Sequence, residues 1–122
     1  MIEISIPMDL TLARKLLEIE AVNATTLTYS EFAHALGVQQ VPIIRTCTNI
    51  LEELVREDVE HSRPILAALV VQKGSASIPR RGFFDVLTSL GCYQGDEVGP
   101  EAINWHQQEL KKLKKYYERS GK

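Results

Sequence analysis

The stretch Arg63-Pro64-Ile65-Leu66-Ala67-Ala68-Leu69-Val70-Val71 decides the fold, because its aliphatic run contains no polar alternation and so has no wet face. Such a run, opened by an Arg-Pro pair that ends any preceding helix, reads as a strand buried on both sides over 64–71. A buried strand needs a hydrogen-bonding partner. Met1 to Pro7 supplies the nearest candidate, since Ile2, Ile4 and Ile6 alternate with Glu3 and Ser5 at the strand period and Pro7 closes the segment. Pairing between two copies of the chain is the other solution.

Around this strand the sequence reads as helices. Asp9 stands where it can cap a helix over about 9–22. Its apolar side is Leu10, Ala13, Leu16, Leu17 and Val22. Thr28 and Glu31 have the spacing of a capping box, and Gly37 stands where a left-handed residue would stop that short second helix. Pro42 suits the first turn of a third helix with an apolar stripe of Ile43, Ile44, Cys47, Ile50, Leu51, Leu54 and Val55. Glu52, Glu53, Glu57 and Glu60 fall mostly off that stripe and read as its solvated face. Gly82-Phe83-Phe84 opens a fourth helix that stops at Gly91. Pro100-Glu101 opens a fifth, buried through Ile103, Trp105 or His106, Leu110, Leu113 and Tyr116 or Tyr117. The expected fold class is therefore α+β and predominantly helical, with five helices around one buried strand, winged-helix-like in its helix-helix-helix-strand-loop order. The expected domain is single, over 1–122, with 1–8 as an N-terminal strand or arm and 9–122 as the helical body.

At 122 residues and 44% hydrophobic, the chain can bury one modest core, and its longest apolar run is too short to span a bilayer. No signal-peptide pattern opens it, so the expected location is cytoplasmic. Cys47 and Cys92 belong to no CxxC or Cys/His cluster and read as reduced thiols, with Cys47 in the core.

No catalytic signature stands out. His34, His61 and His106 are scattered without metal-ligand spacing and read as surface or boundary residues. Gly74, Gly82 and Gly91 build neither GxGxxG nor a P-loop, so neither metal nor cofactor is expected. The net charge of −2 confines any nucleic-acid contact to a local patch. Two such patches are visible. Lys73, Arg80 and Arg81 flank the loop after the buried strand, which reads as the tip of a wing or as a solubilising loop. Lys111, Lys112, Lys114 and Lys115 line the wet side of the last helix and suit its C-terminal dipole. The candidate binding residues are accordingly Lys73, Arg80, Arg81, Lys111, Lys112 and Lys115, with Trp105, Tyr116 and Tyr117 as candidate interface aromatics.

Two resemblances bear on these patches. Thr28-Tyr29-Ser30-Glu31-Phe32-Ala33-His34-Ala35-Leu36-Gly37 resembles the TYxEIAxxLG segment that opens the DNA-binding, winged-helix part of alkyltransferases and alkyltransferase-like proteins. It implies a winged-helix-like arrangement in which the following helix enters DNA. The reactive Pro-Cys-His-Arg motif of that family is absent here, so alkyl transfer does not carry over. Over roughly 28–117 the chain is similar to an uncharacterised group of small bacterial and phage proteins. The shared pattern is Arg63-Pro64-x-Leu66-x-Ala68-Leu69-Val70-Val71-x-Lys73, then Pro79-x-x-Gly82-Phe83-Phe84, Leu90-Gly91 and Trp105. That likeness implies bacterial or phage origin and brings no activity with it. The leading expectation is a non-catalytic macromolecule-binding protein that acts by protein-protein contact, with a protein partner or a homodimer. A winged-helix-like DNA-binding protein is the alternative, with the third helix in the groove, and a small hydrolase or nuclease is the third class.

Overall fold

In the computed structural model, which describes residues 5–38, 43–74 and 77–120, five helices surround a short 3₁₀ turn and a two-stranded sheet. The helices are α1 (Ser5–Asn23), α2 (Tyr29–Leu36), α3 (Ile43–Glu60), α4 (Arg81–Ser89) and α5 (Pro100–Ser120). Strand β1 is Leu27–Thr28 and strand β2 is Val70–Val71, while the 3₁₀ turn covers Leu66–Leu69. The expectation of a predominantly helical α+β chain with five helices holds.

Local chemistry explains the helix ends. Thr28 Oγ1 accepts from the Glu31 backbone N–H at 3.1 Å, and Glu31 Oε1 accepts from the Thr28 N–H at 2.9 Å, so both halves of the capping box form. Gly37 stops α2 at φ 77°, a left-handed conformation in which glycine has no Cβ to clash. Pro42 lies outside the described residues.

Two expectations about the strands are corrected. Ser5 to Pro7 belongs to α1 rather than to a strand, and the helix starts before Asp9. A proline in the first turn gives up a donor that has no intrahelical acceptor anyway, so Pro7 opens this helix instead of closing a strand. Met1 to Ile4 lie outside the described residues. The buried run over 64–71 is also not one strand: among the described residues only Val70 and Val71 pair, in parallel, with Leu27 and Thr28. Among the described residues, the partner of the buried segment is therefore the connection between α1 and α2.

The reason lies in three buried polar side chains. Residues Leu66 to Leu69 are almost fully enclosed, so their backbone groups cannot turn to water and must find partners within the protein. Asp58 of α3 accepts the Leu66 N–H through Oδ2 at 3.1 Å. Glu109 of α5 accepts the Ile65 N–H through Oε2 at 2.8 Å. His106, one turn before Glu109, lies 2.7 Å from the Ala68 carbonyl through Nε2, which must carry the donated proton because a carbonyl can only accept. With these partners the run closes into a 3₁₀ turn, its Ala68 N–H reaching back to the Ile65 carbonyl at 3.1 Å. The Asp58 charge is itself answered: Oδ1 accepts from Arg14 Nη1 of α1 at 2.8 Å and from Arg63 Nε at 3.0 Å.

Apolar packing closes around this centre. Leu17 of α1, Phe32 of α2, Leu54 and Val55 of α3, Leu66 and Leu69, Phe84 and Leu87 of α4, and Leu113 of α5 are all essentially inaccessible. Trp105 packs on Phe83 and Phe84 with ring centroids 5.6 and 5.8 Å apart, which fastens α4 to the first half of α5. Val22, expected on the inner side of the first helix, faces outward.

Two stability outcomes follow. Asp58→Asn removes the charge that Arg14 and Arg63 share and should cost about 3 kcal/mol or more, read as a lower urea midpoint at unchanged m-value. Tyr117→Phe should behave oppositely. The Tyr117 hydroxyl is buried with no hydrogen-bond partner among the described residues, and burial, reinforced by the nearby Asp58 charge, pushes its pKa up to about 12. Deleting that hydroxyl should be neutral or stabilise by up to about 1 kcal/mol in the same experiment.

Candidate binding surfaces

Arg80 and Arg81 stand at the start of α4, where the loop after β2 returns to the body. The loop is closed by a backbone bond from Gln72 N–H to the Ile78 carbonyl at 2.9 Å. Ser77 Oγ donates to the Gly74 carbonyl at 2.9 Å, while Gly74 takes φ 137°. No strand pair forms in this loop among the described residues. The Ser75-Ala76 part lies outside them.

The two arginines differ in role. The Arg80 backbone N–H donates to the Tyr29 hydroxyl at 2.9 Å, and its guanidinium lies 5.7 Å from the centroid of the same ring, within cation–π range. Burial raises the Tyr29 phenol above its ordinary range, against the opposing pull of Arg80, so the hydroxyl stays neutral as the acceptor. Arg80 thus pins the loop's end to the first residue of α2. Arg81 pairs with Glu97 at 3.2 Å across an exposed gap, a contact that adds little stability and leaves the cation available. Lys73 is exposed and forms no ion pair with any described residue.

Between α2, α3 and α4, the residues Tyr29, Thr48, Glu52, Arg80, Gly82 and Phe83 border a cleft of about 40 Å³. That is room for a water molecule, far below the few hundred Å³ of a substrate pocket.

The α5 cations form the second surface. Lys112 reaches Glu109 at 3.8 Å and Lys114 reaches Glu118 at 3.0 Å. Lys111 and Lys115, spaced at i and i+4 and both exposed, have no ion-pair partner among the described residues. Lys111 and Lys114 border a groove of about 170 Å³ with Thr25, Thr26, Leu69 and Leu110, between the end of α1 and α5. The two basic groups do not share a cavity: the Arg80 cleft includes no α5 residue, and the Lys111 groove includes none from the loop. Tyr116 is half exposed beside the lysines, whereas Tyr117 is buried and Trp105 is committed to packing on α4.

The expectation that His106 is a surface or boundary residue is corrected, since it is 4% exposed and spent on the Ala68 carbonyl. His34 and His61 are exposed, and His61 Nδ1, just past the end of α3, contacts the Glu57 carbonyl of that helix. Arg63 turns to Asp58. Among the described residues no group of His, Cys, Asp and Glu is arranged to hold a metal, and no helix is long and apolar enough to cross a membrane. Cys47 is buried, which raises its thiol pKa, and Cys92 is exposed.

Reasoning from sequence passed over Asp58 and Glu109, and it left His106 between the surface and the buried side of the fifth helix, as an alternative to Trp105. The signal existed. Ala102, His106, Glu109, Leu113 and Tyr117 repeat at spacings of three and four, and Asp58 continues the stripe of Leu51, Leu54 and Val55. A charged residue on a buried stripe announces a hydrogen bond waiting for it.

His106 gives this arrangement a pH signature. Burial lowers its folded pKa below the ordinary 6.5, only partly offset by the bond to Ala68. The unfolded chain therefore takes up the proton first as pH falls. Its contribution to stability is complete above about pH 6.5 and declines below it, with a slope of up to about 1.4 kcal/mol per pH unit. Urea midpoints measured between pH 7.5 and about 5 should fall in the wild type and flatten in His106→Gln, whose amide can still donate to the carbonyl. Comparison with protein families, with curated proteins and with solved structures finds no match to this chain.

Proposed function

We propose that this chain is a non-catalytic macromolecule-binding protein whose partner is another protein, of bacterial or phage origin like the group it resembles. The observation that carries the reading is the row of Lys111 and Lys115 on the outer face of α5, exposed and without ion-pair partners among the described residues, next to the half-exposed Tyr116. Cations held on a rigid helix beside an aromatic ring suit an acidic protein surface, because the helix fixes their spacing while the ring supplies apolar contact. The buried polar groups support the same reading from the other side. Asp58, Glu109 and His106 are spent on the backbone of 65–68.

Protein contact is favoured over the winged-helix-like DNA reading by the outer face of α3, the helix that would enter a groove. There Glu52 and Glu53 flank Arg56 at 4.0 and 3.4 Å and neutralise it, leaving net acid where phosphate would lie.

Affinity capture from the native host's extract, with wild type and Lys111→Ala/Lys115→Ala side by side, tests the proposal. A defined protein retained by the wild type and lost with the variant is the expected result, and an Arg80→Ala/Arg81→Ala variant reports whether the loop contributes. Salt-dependent binding to duplex DNA at low ionic strength, or turnover of nucleic acid abolished by a point substitution, would overturn it.

A further inference from the structure

Helix α1 is apolar on two opposite faces, and among the described residues only one of them is packed. Ala13, Leu17 and Ala21 are buried against the core. At about 100° per residue, Leu12, Lys15, Ile19 and Val22 project from the other side. Leu12 is 55% exposed and Ile19 59% exposed, and Val22 completes an outer stripe with the seven- and three-residue spacings of a coiled-coil seam. A shallow depression bordered by Lys15, Glu18, Ile19, Val22 and Asn23 runs along it.

We infer that this stripe is the contact surface for a second copy of the chain, with the two α1 helices packed antiparallel about a two-fold axis near the level of Leu17. The charges on the stripe select that occupant. A two-fold interface must be complementary to itself. In the antiparallel register Leu12 meets Val22 of the second copy, and the stem of Lys15 packs beside its Ile19. The Lys15 ammonium then reaches the second copy's Glu18, and the symmetry repeats the pair. Neither Lys15 nor Glu18 has an ion-pair partner among the described residues of its own chain. The seam from Leu12 to Val22 is only roughly 15 Å long, so the area it buries falls short of a standard stable interface and the dimer is a weak one.

Sedimentation velocity of the full chain from roughly 10 µM to 1 mM reads the association directly. The wild type should shift from monomer to dimer across that range, and Ile19→Lys should remain monomeric with unchanged helix content by circular dichroism. Lys15→Glu and Glu18→Lys should each weaken dimerisation by about 3- to 10-fold. The double exchange Lys15→Glu/Glu18→Lys should recover it, because the charges still match across the axis. A wild type that stays monomeric throughout, an Ile19→Lys that still dimerises, or a double exchange no better than the single ones would each overturn the inference.

Discussion

The hydrogen bonds from Ile65 and Leu66 N–H to the carboxylates of Glu109 and Asp58 are the constraint on which the rest of the structure depends. The opening of a 3₁₀ turn leaves backbone donors without partners, and here that opening is sealed from water, so two helices must each deliver an acceptor to it. α3 delivers Asp58, α5 delivers Glu109, and α1 delivers Arg14 to balance the Asp58 charge. The relative positions of three helices are thereby fixed by one short stretch of main chain. The apolar core packs around an electrostatic centre that specifies its geometry, and loss of one member leaves the others buried without compensation.

What could be read in the sequence divides along physical lines. Contacts between near neighbours were legible: the Thr28/Glu31 capping box, the Gly37 stop, the Pro100 start and the amphipathic stripe of α3 depend on residues three or four apart. Contacts between distant residues were not. An aliphatic run such as 64–71 is equally consistent with a strand or with a buried turn, and the choice was made by Asp58, His106 and Glu109, whose side chains belong to other elements. Pro7 misled for a related reason, since a proline serves both as a strand stop and as a first-turn helix residue.

The candidate surfaces follow the same division. That Lys111 and Lys115 would be wet was readable from their place opposite Leu113, and the structure adds that they lack ion-pair partners among the described residues. The pinning of Arg80 by Tyr29 joins residues 51 positions apart and has no local signature. Leu12, Ile19 and Val22 were hidden by their neighbours: with Leu16 and Leu17 also apolar, α1 has no dominant hydrophobic direction, and the inner and outer faces are separable only once the helix is docked.

The brevity of the β1–β2 pair has a consequence for how this molecule meets others. Each strand contributes two residues, and Val70 and Val71 are enclosed, so the sheet offers almost no free row of main-chain donors and acceptors on which an incoming strand could zip. Among the described residues, a contact with another molecule would fall to side chains rather than to strand edges. Recognition of that kind is tunable residue by residue, sensitive to salt where lysines carry it, and poorly suited to the open-ended stacking by which exposed strand edges propagate into fibres.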